Sequence, residues 1–230
     1  YTPQRHQLGT ADAVRAARDL VTGKFLVLNG DMILTTEDIA NLSRQPAPCM
    51  GTSTTHHPQD YGVVVCENGL IVSLEEKSQT PKSTTINAGA YLFSPDIFDR
   101  IDEVRPSSRG ELELTDALLK LIAAKKMHAY PLSSWMDVGH PWDMLDANTT
   151  MMESLASGSR GTIEDGVFQN GVVVVGEGSV IKSGTYIEGP CIIGNNCRIG
   201  PHAYIRGATS IGDDCHIGHS TELKNSIIMS

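Results

Sequence analysis

The chain lacks two features that mark common classes of protein. It has no excess of positive charge: 18 Lys and Arg stand against 27 Asp and Glu, a net charge of -9. This balance argues against general nucleic-acid binding and against binding to an anionic membrane surface. No apolar run reaches the roughly 18 to 20 residues that a membrane-spanning helix needs. Hydrophobic content is nevertheless 40%, which argues for packed cores and against intrinsic disorder.

Cysteine is scarce, and its spacing fits no metal site. The five cysteines include no CxxC pair, so a zinc site is not expected. Few cysteines without a disulfide-like pattern are typical of a reduced, intracellular protein. We therefore expect a cytoplasmic location.

What the chain does contain is a six-residue repeat in its last third. From Ile163 to Met229 an aliphatic residue returns at every sixth position, and only Gln169 breaks the series. Neither a helix nor a flat strand has a period of six, so the repeat predicts a parallel β-helix with three six-residue sides per coil. Each aliphatic side chain then points inward and stacks on its equivalent one coil later.

A second register of small residues supports this prediction. The positions four residues after the aliphatic ones are mostly Ser, Thr, Ala or Cys, as a narrow prism requires. Glycine often follows the aliphatic residue, where we expect tight corners with positive φ: Gly176, Gly194, Gly200, Gly212 and Gly218. Cys197 and Cys215 lie one coil apart, about 4.8 Å by strand spacing. Stacked core thiols are expected there, and a disulfide is the alternative.

The first 156 residues alternate strand-like and helix-like segments, which predicts an α/β domain. Predicted helices span about 9–20, 112–124 and 142–155, predicted strands 25–28 and 86–93, and a predicted hairpin 61–74 turns at Asn68-Gly69. The continuous apolar run at 25–28 predicts a strand buried on both faces, and Ser94-Pro95-Asp96 predicts a helix N-cap. The predicted domains are 1–156 and 163–230, joined by a linker at 157–162.

Two carboxylates follow predicted strands in this first domain. Asp31 lies on the exit turn of the strand at 25–28, where ligands of open α/β sheets bind, and Asp137 lies between a further strand and a helix. Carboxylates in such positions suit a hard cation such as Mg²⁺ and phosphate chemistry. The alternative is that each aspartate only caps a turn or a helix.

Six short motifs resemble, in order, those of the sugar-1-phosphate nucleotidyltransferases. They are Gln4-Arg5-His6-Gln7-Leu8-Gly9-Thr10-Ala11, Leu28-Asn29-Gly30-Asp31, Tyr61-Gly62-Val63-Val64, Leu74-Glu75-Glu76-Lys77, Ile86-Asn87-Ala88-Gly89-Ala90-Tyr91 and Trp135-Met136-Asp137-Val138-Gly139. With the hexapeptide repeats behind them, they resemble bifunctional enzymes that join uridylyl or thymidylyl transfer to amino-sugar-phosphate acetylation. The resemblance implies a Rossmann-like α/β nucleotidyltransferase domain followed by a left-handed parallel β-helix.

The resemblance also implies a role for each matching residue. Asp31, Lys77 and Asp137 would be catalytic, with Mg²⁺ held by the two aspartates and the sugar phosphate paired with the lysine. The residues that would bind substrate are Gln4, Gly9 and Thr10 at a pyrimidine base, Gly62, Glu76 (or Glu75), Asn87 and Tyr91 at the sugar. The implied substrates are UTP or dTTP and a sugar-1-phosphate, with no nucleic-acid or membrane partner, and the implied assembly is a homotrimer formed through the β-helix.

The resemblance has gaps at both ends of the sequence. The family's glycine-rich phosphate-binding loop is expected before the base-recognition motif, and the repeats stop in mid-coil at Ser230. We therefore expect an internal piece of a longer protein that lacks turnover by itself, with any acetyltransferase site beyond Ser230. The histidines at 202, 216 and 219 are expected at outer, non-catalytic positions.

Two alternatives stay open. Asn-Gly-Asp and Ile-Asn-Ala-Gly also suit a mannose-1-phosphate guanylyltransferase or an ADP-glucose-type pyrophosphorylase. A non-catalytic regulatory or scaffold subunit could also share both domains. The presence of Asp31, Lys77 and Asp137 together favours the enzyme.

Overall fold

The computed structural model describes residues 2–230 and divides into two compact units. The first ends at Asp137 and the second runs Val138–Ser230. The domain limits predicted from the sequence, 1–156, 157–162 and 163–230, stay predictions. No helix formed by residues 2–230 combines the length and apolar character needed to cross a membrane.

The first unit mixes short helices with eight strands, which confirms the α/β prediction. Its helices are α1 (Thr10–Arg15), α2 (Thr36–Ser43), α3 (Ile97–Asp102) and α4 (Leu114–Ala123), with 3₁₀ turns at Arg18–Leu20 and Pro58–Asp60. Its strands are β1 (Phe25–Leu28), β2 (Met32–Leu34), β3 (Cys49–Thr54), β4 (Gly62–Glu67), β5 (Leu70–Glu76), β6 (Thr85–Phe93), β7 (His128–Pro131) and β8 (Trp135–Asp137).

Six of these strands form one mixed sheet in the order β1-β6-β3-β7-β5-β4, and β2 and β8 form a separate two-stranded ribbon. The hairpin predicted at 61–74 is confirmed as β4 and β5. Asn68 and Gly69 both have positive φ, the conformation that a two-residue hairpin turn of this type requires. The apolar faces of β5, β6, α3 and α4 meet in the main core, around the fully buried Phe93, Leu118 and Met127.

Two local predictions in this unit are wrong. The run Phe25–Leu28 does form a strand, but it is an edge strand paired only with β6 among the described residues, so its side chains are half-buried and Leu28 is 39% exposed. The N-cap predicted at Ser94 is absent: α3 begins at Ile97, and Asp96, in helical conformation, makes no side-chain cap. Ser94 instead donates its hydroxyl hydrogen bond to the Asp96 carboxylate.

The second unit is a parallel β-helix preceded by one helix, α5 (Asp143–Met152). Its strands are β9 (Gly158–Ser159), β10 (Thr162–Ile163), β11 (Phe168–Asn170), β12 (Val173–Val175), β13 (Val180–Ile181), β14 (Tyr186–Glu188), β15 (Cys191–Ile193), β16 (Arg198–Ile199), β17 (Tyr204–Arg206), β18 (Thr209–Ile211), β19 (His216–Ile217), β20 (Glu222–Lys224) and β21 (Ile227–Ile228). Three parallel sheets result: β10-β13-β16-β19, β11-β14-β17-β20 and β9-β12-β15-β18-β21.

The six-residue repeat sets the register of these sheets. Strands pair with their equivalents eighteen residues on, as in Ile187↔Ile205 and Ile181↔Ile199. These isoleucines are fully buried in one continuous core. Gln169, the lapse in the series, is exposed on β11, the outermost strand of its sheet. The predicted β-helix is confirmed, and the left-handed sense stays a prediction.

The small side chains four positions after each aliphatic residue also point inward, and the polar ones hydrogen-bond to the next coil. Ser179 donates to the carbonyl of Gly194 at 2.6 Å and Thr185 to that of Gly200 at 3.0 Å. Cys197 contacts the carbonyl of Gly212 in the same way at 3.0 Å. All five cysteines are free, so the expected stacked thiols are present and the alternative disulfide is not. A buried hydroxyl without a hydrogen-bond partner would destabilise the fold. The hydrogen bonds between coils supply these partners.

The glycines after the aliphatic positions have a different cause from the one predicted. Gly176, Gly194, Gly200, Gly212 and Gly218 do not have positive φ; the corner residues with positive φ lie two positions later, at Gly178, Asn196, His202, Asp214 and Ser220. At Gly200 a Cβ atom would lie 2.7 Å from the carbonyl carbon of Gly218 and the nitrogen of His219. At this position glycine is therefore needed because successive coils pass too close for a side chain.

We expect Gly200→Ala to lower the free energy of unfolding of the β-helix by about 1–3 kcal/mol, since the added methyl group must push apart two backbone segments. The measurement is chemical denaturation followed by circular dichroism. Gly158→Ala is the matched control, because a Cβ there meets no atom within 4 Å. Equal stability of the two variants would contradict the stacking argument.

Candidate active site

A wide polar cavity of about 570 Å³ opens in the first unit. Most of the residues predicted to act on substrate line it: Thr10, Asp31, Gly62, Glu76, Lys77, Asn87, Tyr91 and Asp137. These residues come from six separate parts of the chain, so the fold brings together what the sequence only suggested. Their roles stay predictions, but their convergence is a structural fact.

The β2–β8 ribbon brings the two carboxylates to one end of the cavity. Asp31 directly precedes β2, and Met32, the first residue of β2, pairs with Asp137, the last residue of β8. Asp31 is exposed and Asp137 half-buried. The Tyr61 hydroxyl donates to Asp137 Oδ2 at 3.1 Å, which orients that carboxylate. The Tyr61 ring in turn packs edge-on against Trp135 at 5.4 Å between centroids.

Trp135 belongs to the lining of the cavity. Its indole Nε1 donates to the carbonyl of Ala88 at 2.9 Å, so the side chain is fixed between β6 and β8. It also lines a neighbouring pocket rich in hydroxyl groups. Trp135 therefore forms part of the wall of the cavity.

The end of the β4–β5 hairpin supplies an acidic and a basic side chain. Gly62 pairs with Glu76 across the hairpin, and Thr115 donates its hydroxyl hydrogen bond to Glu76 Oε1 at 2.9 Å. Lys77 follows with a positive φ of 46°, and its N–H donates to the carbonyl of Tyr61 at 3.0 Å. This unusual backbone turn leaves the Lys77 side chain exposed at the cavity.

Asn87 and Tyr91 form the floor on β6. Asn87 Nδ2 donates to the Tyr91 hydroxyl at 2.8 Å, and its Oδ1 accepts from the N–H of Gly89 at 3.0 Å. Tyr91 is 4% exposed and stacks on Phe93, so its ring belongs to the core while its hydroxyl faces Asn87. Burial raises the pKa of Tyr91 to about 12, and the phenol is therefore neutral at physiological pH.

Three predicted residues do not line this cavity. Gln4 lies in an adjacent groove, where its Nε2 donates to the Gly9 carbonyl at 3.2 Å and to Asp12 Oδ2 at 2.9 Å. The bond from Gln4 and the ion pair with Arg15 hold the pKa of Asp12 below its usual value. Gly9, with φ of 116°, lies against the backbone of Leu112. Glu75 pairs with Val63, and successive strand residues face opposite sides, so Glu76 rather than Glu75 faces the cavity.

Comparison with known proteins identifies the family. The model of the nucleotidyl transferase family matches residues 1–154. The chain belongs to the nucleotidyl transferase family. A second model, that of the bacterial transferase hexapeptide (six repeats), matches residues 172–207 and 190–225, which are the coils of the β-helix.

Curated relatives of this nucleotidyl transferase chain are named as bifunctional proteins. "Bifunctional protein GlmU" of Methanococcus aeolicus is 41% identical over 174 residues, covering 74% of this chain and 42% of the relative. The "Bifunctional sugar-1-phosphate nucleotidylyltransferase/acetyltransferase" of Sulfurisphaera tokodaii is 37% identical over 173 residues, covering 74% and 43%. The chain thus spans less than half the length of either of these two relatives.

A solved structure shares the fold. A crystal structure from Bacillus anthracis, described as a glucose-1-phosphate thymidylyltransferase in complex with a sucrose, superposes with a TM-score of 0.55 at 27% identity, covering 67% of this chain and 65% of that one. The resemblance inferred from the six motifs and the repeats is therefore confirmed at the level of family and fold.

Nucleotidyl transferases of this family generally use a divalent metal ion, and the two carboxylates fit one. Within residues 2–230 no three His, Cys, Asp or Glu side chains cluster as a metal site. Asp31 and Asp137 make no ion pair with any described cation. A pair of carboxylates at an open cavity suits a hard cation that keeps waters and takes further oxygens from phosphate.

Sequence reasoning missed several residues of the cavity: Asn29, Asp60, Tyr61, Arg109, Glu111 and Thr115. Tyr61 lies in the motif Tyr61-Gly62-Val63-Val64, so the sequence indicates that it is near the site. Its hydrogen bond to Asp137 cannot be inferred from the sequence. Arg109 lies in an irregular loop whose sequence has no periodic pattern, and only the fold places it at the cavity. Its ion pair with Glu113, at 3.1 Å, raises its pKa further.

Proposed function

We propose that this chain carries part of the active site of an enzyme that forms a UDP- or dTDP-sugar and pyrophosphate from UTP or dTTP and a sugar-1-phosphate. The observation that carries the proposal is the meeting of two carboxylates, Asp31 and Asp137, with the cation Lys77 in one polar cavity. A phosphoryl-transfer site needs charge of both signs around an open space, and none of these three side chains is held in an ion pair among the described residues.

In the proposed reaction, a phosphate oxygen of the sugar-1-phosphate attacks the α-phosphorus of the triphosphate and pyrophosphate leaves. Lys77 binds the sugar phosphate, and Arg109, in reach of the same cavity, adds a second cation. Glu76, held by Thr115, and Asn87 accept from sugar hydroxyls. No covalent intermediate with the protein is needed, so the residues act by positioning the two substrates and neutralising charge.

The proposed metal is Mg²⁺, held by Asp31 and Asp137, with Tyr61 fixing the orientation of the second carboxylate. When bound, it supplies a positive charge that stabilises the negative charge developing on the phosphate oxygens. The choice of Mg²⁺ follows from its preference for oxygen ligands in phosphate chemistry.

The proposed base is a pyrimidine, recognised by the segment from Gln4 to Thr10. Gln4 is positioned by its bonds to Gly9 and Asp12, and an amide can both donate to and accept from a base edge. Thr10 lines the cavity, and its hydroxyl oxygen accepts from the N–H of Leu114 at 2.9 Å. The segment proposed to recognise the base thus contacts the start of α4.

The test is pyrophosphate release by the full-length protein with each of UTP, dTTP, GTP and ATP, paired with glucose-1-phosphate and with N-acetylglucosamine-1-phosphate. We expect turnover with UTP or dTTP. Faster turnover with GTP or ATP would favour the guanylyl or adenylyl alternative. No turnover with any pair, together with no thermal shift on adding any triphosphate, would favour the non-catalytic subunit.

Three further parts of the proposal rest on the second unit and on the relatives. The hexapeptide coils support a homotrimer formed through the β-helix. The name of the Sulfurisphaera tokodaii relative supports an amino-sugar-phosphate N-acetyltransferase activity in the full-length protein. The five free thiols support a reducing, cytoplasmic location. Sedimentation equilibrium tests the trimer, and acetyl transfer from acetyl-CoA to glucosamine-1-phosphate tests the second activity.

A further inference from the structure

One fully buried carboxylate of the first unit lies outside the cavity. Asp38, the third residue of α2, is 1% exposed. A buried carboxylate is costly unless it is paired or fully hydrogen-bonded, and no cation of residues 2–230 forms an ion pair with it. Its burial therefore requires another source of stabilisation.

That source is a set of hydrogen bonds to both oxygens. Oδ2 accepts from the hydroxyls of Thr35 and Ser133, each at 2.8 Å, and from the N–H of Ser134 at 3.2 Å. Oδ1 accepts from the N–H of Ser133 at 2.9 Å. Burial alone would raise the pKa of Asp38, but these bonds outweigh it and hold the pKa below its usual value. Asp38 is therefore ionised near neutral pH.

The hydrogen bonds of the Asp38 carboxylate involve residues that a helix cap does not use. Thr35 is the N-cap of α2, and its hydroxyl oxygen accepts from the N–H of Asp38 at 3.0 Å, which already caps the helix. A helix cap involves neighbours in sequence, whereas Ser133 and Ser134 lie about a hundred residues away along the chain. The carboxylate thus joins two distant segments.

Those two segments are the ends of the β2–β8 ribbon. Thr35 directly follows β2, Ser134 directly precedes β8, and Leu34 pairs with Trp135 at this end. Asp31 and Asp137 lie at the opposite end of the same ribbon. Each strand has three residues, and so short a pair has little stability of its own. A slip of one residue would move one strand by about 3.3 Å and reverse its faces.

We propose that Asp38 is a positioning residue: its carboxylate fixes the register of β2 against β8 and thereby sets the separation of Asp31 and Asp137. The inference rests on the proposed function in one respect, that these two carboxylates hold the metal. Asp38 itself does not line the cavity.

The test is Mn²⁺ binding to the full-length protein, followed by electron paramagnetic resonance, in Asp38→Asn. The amide keeps the size of the side chain, but whichever way it turns, its NH₂ group faces the N–H of Ser133 or of Ser134. We expect the Kd for Mn²⁺ to rise about 10- to 100-fold, the range found for residues that orient metal ligands. The Mn²⁺ concentration for half-maximal turnover should rise by the same factor.

Ile101→Val is the stability control, since Ile101 lies in the main core and lines neither cavity. Its Kd for Mn²⁺ should equal that of the unchanged protein even where its thermal midpoint falls. An unchanged Kd in Asp38→Asn, or a Kd that rises in both variants in proportion to the loss of thermal stability, would overturn the inference.

Two more variants keep the result interpretable. If Asp38→Asn does not fold, Ser133→Ala removes one hydroxyl donor and keeps the carboxylate, and the Kd for Mn²⁺ should still rise several-fold; no rise overturns the inference. Asp31→Asn tests the proposed function separately. Unchanged Mn²⁺ affinity in Asp31→Asn removes the metal site itself, whereas affinity lost in Asp31→Asn but retained in Asp38→Asn removes only the positioning role.

Discussion

Replacing Asp137 by asparagine in the full-length protein should lower kcat by roughly 10³-fold. A divalent ion contributes several kcal/mol of transition-state stabilisation in phosphate chemistry, and each 1.36 kcal/mol is a factor of ten in rate. Asparagine keeps the size of Asp137 and can still accept from the Tyr61 hydroxyl, so the shape of the cavity is retained and the loss of charge is isolated. Asp31→Asn should have a loss of similar size.

The measurement is steady-state turnover over a range of Mg²⁺ concentrations. Asp99→Asn, on the exposed side of α3, removes one carboxylate elsewhere in the same unit and should leave kcat unchanged. Unchanged turnover in both Asp31→Asn and Asp137→Asn would remove these residues from the site. A rate restored by high Mg²⁺ in either variant would show that metal binding, rather than folding, is what the change weakened.

The β-helix was predictable because its cause lies in the sequence itself. A residue that faces the core recurs every six positions, and parallel stacking at eighteen residues follows directly, as in Ile187↔Ile205. The hairpin at Asn68-Gly69 was predictable for a similar reason, since the turn chemistry is local. Both are cases in which neighbouring residues determine the structure without help from distant ones.

The pairing of β2 with β8 was beyond the same reasoning. Each strand has three residues, too few to show a period of two, and about a hundred residues separate them. Asp31 and Asp137 could be suspected of converging, yet nothing local specified that Met32 would face Asp137. The sequence does not indicate a role for Asp38 at the site, because the residues around it are typical of the first turn of a helix.

For the glycines of the β-helix, the sequence shows the right positions, but the predicted reason for glycine at those positions is wrong. The sequence pattern predicts that Gly200 is needed for its backbone conformation, whereas the structure assigns positive φ to His202 and leaves no room for a Cβ at Gly200. The sequence of one coil cannot reveal how closely the next coil passes. Steric demands between coils become visible only when they are stacked.

Replacing Lys77 by methionine should lower kcat/KM for the sugar-1-phosphate by about 10²-fold, equivalent to about 2.7 kcal/mol of transition-state stabilisation. The unbranched methionine side chain fills a similar space and demands no new backbone turn beyond the positive φ that Lys77 already has. Since Lys77 is proposed to bind the sugar phosphate, the KM for the nucleoside triphosphate should change little.

The matched control is Lys82→Met, which removes the same charge from an exposed position in the same unit that does not line the cavity. Its kcat/KM should stay within about twofold, because screening weakens long-range effects of single surface charges at physiological salt. If Lys77→Met instead raises the KM for both substrates equally, Lys77 contributes general charge to the cavity and not a specific phosphate contact. If both variants behave alike, the loss follows net charge and Lys77 makes no specific contact with the sugar phosphate. Arg109, which also lines the cavity, would then be the next residue to test.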